Sequence, residues 1–462
     1  MTEQRKSEGE QNQVPAVLAT FTHQMRSIAE CAKVHIAHAQ LTQKQHFQTI
    51  LSSLKESMSV NKTEDGNVES IEIKFESLKQ QESFKHLVNS TPDGRKGPHS
   101  DVLAKSLLIF GFSTFDAFLG GLLRALFRVN PQLIYKLEEK SVTVADLLRA
   151  KTTEAVIDGL IESDISSLLR KSYDEVFSKL ATRHGIDTLK KFDEWPSFIE
   201  CSQRRNLITH CDGNVNDEYL AKCKAAEAEI PAEVTPGSRL DVSPEYLEKS
   251  LDLLYAVGVM LAHTLWRTAS EAGIPASDRE LTNELYELLK QEKWQLARTL
   301  GKFAMNLPKK RNDLIAKILR LNYAQSLKWA GDHLRAKKIL DETDWSSSIR
   351  DLRLGVAVLR EQYTEAAQLM RQIGKSGELV DQTSYSEWPI FRVFRSTSEF
   401  RLAFRDIYGI EFGTNPPKIV DLQEKESASP PSADTVTDAI TSLIPSTNGE
   451  IHLKEKDNTN AD

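Results

Sequence analysis

The sequence predicts an all-α protein, and three stretches carry that expectation. Leu18, Phe21, Met25, Ile28 and Ala32 repeat at the 3-4 spacing of one helix face. The most apolar run, Val102 to Phe127, includes Lys105, Asp116 and Arg124, which suits a buried bundle helix. An Asp at the centre of a membrane span costs about 2.5–3.5 kcal/mol, so no membrane segment is expected there. From Leu281 onward the chain turns into paired helical stretches with small and aromatic residues at recurring places.

Taken in order, residues 1–14 are polar and lack the apolar core of a secretory signal. Residues 15–90 form an N-terminal helical region. Its stripe resumes after a break at Phe47, Ile50, Leu54 and Met58, and its heptad-like start suits either a dimerising coiled coil or packing on its own chain. His35, His38 and His46 lie on or near this helix as solvated residues. Asn61 to Gly66 is turn-rich. In Val68 to Leu87 the alternation of Ile71, Ile73 and Phe75 allows a short strand, while the continuation through Leu78 and Phe84 allows a helix. Ser90 to Pro98 is a loop.

A helical bundle is expected over 98–268. Ser100-Asp101 would cap Val102 to Phe127, whose core stripe is Leu107, Leu108, Phe112, Phe115, Leu119 and Leu122. Short helical pieces follow over 133–137, 142–148 and 154–160, then a longer one from Ser163 to Lys179. Trp195-Pro196 opens a helix that Asp212-Gly213-Asn214 ends. Residues 213–243 are loop-rich, either flanking a cleft or simply connecting. Pro244 sets the first turn of a closing helix, Glu245 to Arg267.

Over 269–412, Trp294-Gln-Leu-Ala297, His333-Leu-Arg-Ala336 and Tyr363-Thr-Glu-Ala366 are alike. Their alanines stand 39 and 30 apart, on either side of the 34-residue tetratricopeptide period. The segment looks like a degenerate helical-hairpin repeat, a surface type used to hold protein partners, with a plain helical domain as the alternative. Residues 413–462 are rich in Pro, Ser and acidic groups and are expected to be disordered. A short docking helix could form there around Val436, Ile440, Leu443 and Ile444.

Composition narrows the chemistry. The net charge is −7, of which −5 falls from Lys418 onward, so no global basic excess advertises nucleic-acid binding. An RNA site would need a local patch, for which Arg204, Arg205 and Arg170-Lys171 are candidates. Cys31, Cys201, Cys211 and Cys223 include no C-x-x-C pair, which suits a reducing cytoplasm. Cys201, His210, Cys211 and Cys223 match no standard zinc spacing and fit buried thiols better. There is no P-loop, no G-x-G-x-x-G after a strand, no H-E-x-x-H, no EF-hand loop and no G-x-S-x-G elbow. No cofactor or metal is therefore expected.

The most informative stretch is Cys201-Ser-Gln-Arg-Arg-Asn-Leu-Ile-Thr-His-Cys211. On a helix Asn206 and His210 share a face, and the long Arg205 side chain can swing toward them. A guanidinium grips phosphate in a fork, and an imidazole gives and takes protons near neutrality. Arg-Asn-x-x-x-His at a helix end, preceded by a long apolar helix with Phe112-Ser-Thr-Phe-Asp-Ala-Phe118, resembles the HEPN superfamily. That resemblance spans roughly residues 98 to 268. It implies a four- or five-helix bundle with a cleft lined by Arg205, Asn206 and His210, and Asp116 as the facing acid from an earlier helix.

The activity it implies is a metal-independent endoribonuclease with RNA as substrate, in a bacterial or phage-defence or toxin role. His210 would be general acid or base, Arg205 would stabilise the phosphate, and Asn206 would orient phosphate or imidazole. Asp116 would fix the ring or hold Arg205, and Arg204 would help bind substrate. One histidine cannot readily serve as base and acid at once, so a homodimer joining two motif helices is implied as well. A non-catalytic adaptor of the same fold, binding nucleotide, RNA or protein, is the alternative. A purely structural coiled-coil and repeat protein is a third.

Overall fold

In the computed structural model, residues 13–54, 58–62, 68–73, 75, 77–79, 81–82, 98–137, 142–150, 152–308 and 312–413 are described. The ends expected to be disordered, 1–14 and 413–462, lie outside them except for Gly413 and for Gln13 and Val14, which begin the first helix with Val14 buried. The 90–97 loop and the 436–444 docking helix also lie outside.

Helix α1, Gln13–Leu54, runs as one 42-residue helix through the gap in the stripe between Ala32 and Phe47, and Ile36 extends its buried stripe. It stops at Leu54. Met58, expected on the helix, instead begins strand β1, Met58–Lys62, which pairs antiparallel with β2, Val68–Ile73. All-α therefore holds except for this hairpin. The period-2 pattern of Val68-Glu-Ser-Ile-Glu-Ile73 prevails over helix there, with a bulge between Asn61 and Lys62 absorbing the odd register.

The long helix α2, Pro98–Val129, begins earlier than Ser100 because Pro98 fits a first helical position. Helix α2 satisfies length and composition tests for a membrane span, but α1, α4, α6 and α8 pack against it. A 3-10 turn, Pro131–Lys136, and helix α3, Val144–Arg149, lead into α4, Thr153–Leu169. The helix expected over Ser163 to Lys179 is split at Arg170-Lys171-Ser172. Ser172 caps α5, Tyr173–His184, in a reciprocal box with Glu175, and Gly185 ends it in the left-handed region. Next come α6, Trp195–Cys211, and α7, Asp217–Ala225, the latter inside the stretch expected to be loop. Asn216 starts α7 by accepting from the Tyr219 amide. Helix α8, Pro244–Ala269, closes the bundle as expected.

The stripe of α1 packs on its own chain. Phe21 stacks on Phe118 with ring centroids 4.1 Å apart and lies against Gly258 of α8, where a Cβ would run into the ring. Leu18, Phe21, Met25, Ile28 and Ala32 are thus consumed within one molecule.

Beyond α8 come α9, Ile274–Lys290; α10, Trp294–Asn306; α11, Asp313–Trp329; and α12, His333–Asp341. Then follow α13, Arg350–Leu359, and α14, Tyr363–Ile373. They pair as α9/α10, α11/α12 and α13/α14, and α9, α11 and α13 also touch in sequence. Each hairpin turns through a left-handed residue, Glu292, Gly331 or Glu361, two positions before the next helix starts. Trp294, His333 and Tyr363 each open the second helix, and Ala297, Ala336 and Ala366 are buried where the helices meet. The uneven alanine spacing reflects helix length, since α10 and α11 run 13 and 17 residues whereas α12 and α13 run 9 and 10. A short helix α15, Gln382–Glu387, two 3-10 turns and α16, Ser398–Tyr408, complete this end around Tyr385, Phe391, Phe394 and Phe400.

Candidate functional site

The site candidates gather where α2, α5 and α6 meet. Burial of Phe198 and Leu207 fixes the rotation of α6 in the bundle. With α6 so oriented, Arg205 turns inward, its guanidinium 5.0 Å from the Phe112 ring centroid and 6.0 Å from that of Tyr173. The Tyr173 hydroxyl donates to Asp116 Oδ1 at 2.5 Å. Burial raises the Asp116 carboxyl above its usual range, while the Tyr173 hydroxyl and the Arg205 charge pull it back. Burial also raises Tyr173, and the neighbouring Asp116 adds to that. Arg205 Nε is buried without a hydrogen-bond partner. Asp116, Tyr173 and Arg205 therefore form one cluster that couples three helices.

The other two motif residues are arranged differently. Asn206 is half-buried, and His210 is exposed in the last turn, just before Asp212 ends α6 in the left-handed region. Asn206 and His210 make no side-chain hydrogen bond among the described residues. Arg205 thus lies against the Phe112 and Tyr173 rings, while His210 is exposed to solvent.

Arg204 is held within the fold. Its Nε donates to Glu200 Oε1 at 2.8 Å, it reaches the Asp241 carbonyl, and it lies 3.9 Å over the Tyr246 ring. Glu200 also accepts from Tyr219 and Tyr246, at 2.8 and 2.7 Å. This polar knot joins α6, α7 and α8 directly behind the motif. Of the residues expected as a basic patch, Arg204 and Arg205 are thus engaged internally, while Arg170 is exposed and Lys171 half-buried at the junction of α4 and α5. Cys201 is buried beside the knot, which pushes its thiol up to about 11. Among the described residues no His, Cys, Asp and Glu cluster could hold a metal ion.

Tyr173 and Glu200 were not singled out from sequence. Ser172 to Glu175 has the capping-box pattern that would have placed Tyr173 on the first turn of α5, and hence near α2. The i,i+4 spacing of Glu200 and Arg204 is a local signal for their ion pair, whereas the other partners of Glu200, Tyr219 and Tyr246, come from later helices.

No family model, no curated protein and no solved structure matches the chain. What stands is a multi-helix protein with a long N-terminal helix, a bundle and a C-terminal cluster of hairpins.

Proposed function

We propose that the chain is a metal-independent endoribonuclease of the HEPN type. The observation that supports it is the juxtaposition of Asp116 with Arg205. An acid in the middle of α2 and a cation near the end of α6 share one buried cluster, the pairing the resemblance implies, while His210 remains free to reach a substrate. His210 would take the proton from a ribose 2′-hydroxyl or return one to the leaving 5′-oxygen. Arg205, steadied by Asp116 and Tyr173, would balance charge building on the phosphate, and Asn206 would orient it. The second proton transfer would come from His210 of another copy. Because the α1 stripe is spent inside the chain, that copy would meet this one across the face bearing the motif.

The expected outcome is cleavage of RNA in EDTA, leaving 2′,3′-cyclic phosphate and sparing DNA. His210→Ala should lose about 10²–10⁴-fold. Arg205→Lys should fail as well, because an ammonium lacks the fork. Cleavage that EDTA abolishes, or that His210→Ala leaves at full rate, would sink the proposal.

The packing of Arg205 between two aromatic rings favours a second reading, a module that binds RNA or a protein without cutting. RNA bound by the parent and by His210→Ala alike, with no product from either, would select it. In both readings the hairpins are proposed to hold a protein partner or trigger, and the unpaired cysteines fit a cytoplasmic setting.

A further inference from the structure

The charge of the chain is unevenly divided. The bundle, residues 98–268, carries 20 Lys and Arg against 25 Asp and Glu, a net of −5. The hairpin region, residues 269–412, carries 23 against 20, a net of +3, and the positive charge is concentrated in residues 298–375, which carry 16 against 8. With Arg204 engaged inside the fold and Arg205 assigned to the reacting phosphate, the bundle adds little to hold the rest of a polyanion, whereas this part of the hairpins offers more.

Several of the hairpin cations are free. Arg298 on α10, Arg335 and Lys337 on α12, and Arg350 and Arg353 on α13 are exposed and form no ion pair among the described residues. They come from three helices that each pack on α11. Met305 of α10 packs in one cluster with Ala336 and Ile339 of α12, and α11 lies against both α12 and α13. Helix α12 is amphipathic in an unusual sense. Ala336 and Leu340 face the core, while its outer face shows basic residues around Leu334, which is 86% exposed. A surface lysine or arginine usually leans on a nearby carboxylate, as Lys328 does on Glu361 and Arg360 on Asp341. Leaving five unpaired on neighbouring helices builds a local positive field that a polyanion would relieve.

We infer that the outer face of the hairpins, centred on Arg335 and Lys337 of α12, is a binding surface for the phosphate backbone of RNA. RNA as the occupant rests on the proposed ribonuclease reading. The surface offers charge and one leucine rather than stacked rings, so it reads phosphates and not bases. The hairpins would hold the strand while the bundle presents Arg205 and His210 to it.

The test uses full-length His210→Ala protein, so that bound RNA stays intact, and an unstructured labelled RNA of about 30 nucleotides followed by fluorescence anisotropy between about 50 and 200 mM KCl. The parent should show a steep salt dependence. Arg335→Glu with Lys337→Glu should lower the log–log salt slope by about 1.4, at about 0.7 per phosphate contact on a single strand. Lys224→Glu with Lys249→Glu, an equal charge change on the bundle, should leave the slope near the parent's. The inference fails if both double variants weaken binding equally, or if the α12 variant binds like the parent. It also fails if phosphatidylserine vesicles are held at salt concentrations that release RNA. A separate arm follows a dinucleotide substrate, too short to span both surfaces, in the otherwise unaltered chain. Arg335→Glu with Lys337→Glu should cut it at the parent rate. If no protein cuts it while the anisotropy result holds, the catalytic reading has failed and the binding surface has not.

Discussion

His184, the last residue of α5, is buried beside Arg183 and Lys136, and burial lowers its pKa to about 4. The fold therefore prefers the neutral ring. Above the ordinary value near 6.5 the ring is neutral in both states and its contribution to stability is complete. As pH falls from there toward 4 the unfolded chain takes the proton first, and stability is lost until the folded ring protonates too. The shift corresponds to about 3 kcal/mol. Urea unfolding from pH 7 to 4 should show the parent losing about that much more than His184→Gln, and parallel profiles would refute it. Asp116, raised by burial, works in the opposite sense, but it is common to both proteins and cancels in the comparison. Arg205 and His210 show what residue spacing cannot convey. Their separation was plain in the sequence, yet the aromatic floor that draws Arg205 inward comes from Phe112 and Tyr173 on two other helices.

At the scale of elements, α1 and α8 meet because Gly258 leaves room for Phe21. Gly258→Ala should destabilise by about 1–3 kcal/mol despite the better helix propensity of alanine, since the added methyl meets the Phe21 ring and displaces it from its stack on Phe118. A neutral or stabilising effect in thermal unfolding would show that the contact is loose. Helix periodicity made α1, α2, α8 and the hairpin helices legible, because each buries one long face. It was silent on α7, whose nine residues show too few turns to display a period, and it joined α4 to α5 because Ser172 interrupts the chain without changing its apolar spacing. Alternation over Val68 to Ile73 was visible, but the strand needed its partner β1, which the helical stripe had claimed through Met58. Of the site, the spacing of Arg205, Asn206 and His210 was legible, and so was the position of Asp116 on the earlier apolar helix. Of the engagement of Arg204, the i,i+4 pair with Glu200 lay in the sequence, but the contacts with Asp241 and Tyr246 could not be read, because they form only once α8 is in place.

At the scale of the whole molecule, bundle and hairpins are joined through a polar seam between α8 and α9. Arg267 and Asp278 pair at 2.6 Å with their side chains 6% and 5% exposed, and His263 Nδ1 lies 2.8 Å from Ser277 Oγ. Asp278→Ala would leave the Arg267 charge buried with the Pro308 carbonyl still accepting from it. It should cost about 3–5 kcal/mol by urea unfolding, and a loss below about 1 kcal/mol would mean the seam opens to water. The placing of α1 has a consequence for synthesis. Arg26 donates to the Tyr255 hydroxyl across 229 residues of chain, and Phe21 reaches Gly258 in the same way. At roughly 5–20 residues per second, about 10 to 45 s separate the emergence of α1 from that of its second wall. Helix α2 arrives sooner and can cover part of the stripe, but the side meant for α8 leaves the ribosome bare. During that interval Leu18, Phe21 and Met25 are open to any apolar surface nearby, and the nascent chain is most in need of a chaperone at its oldest end.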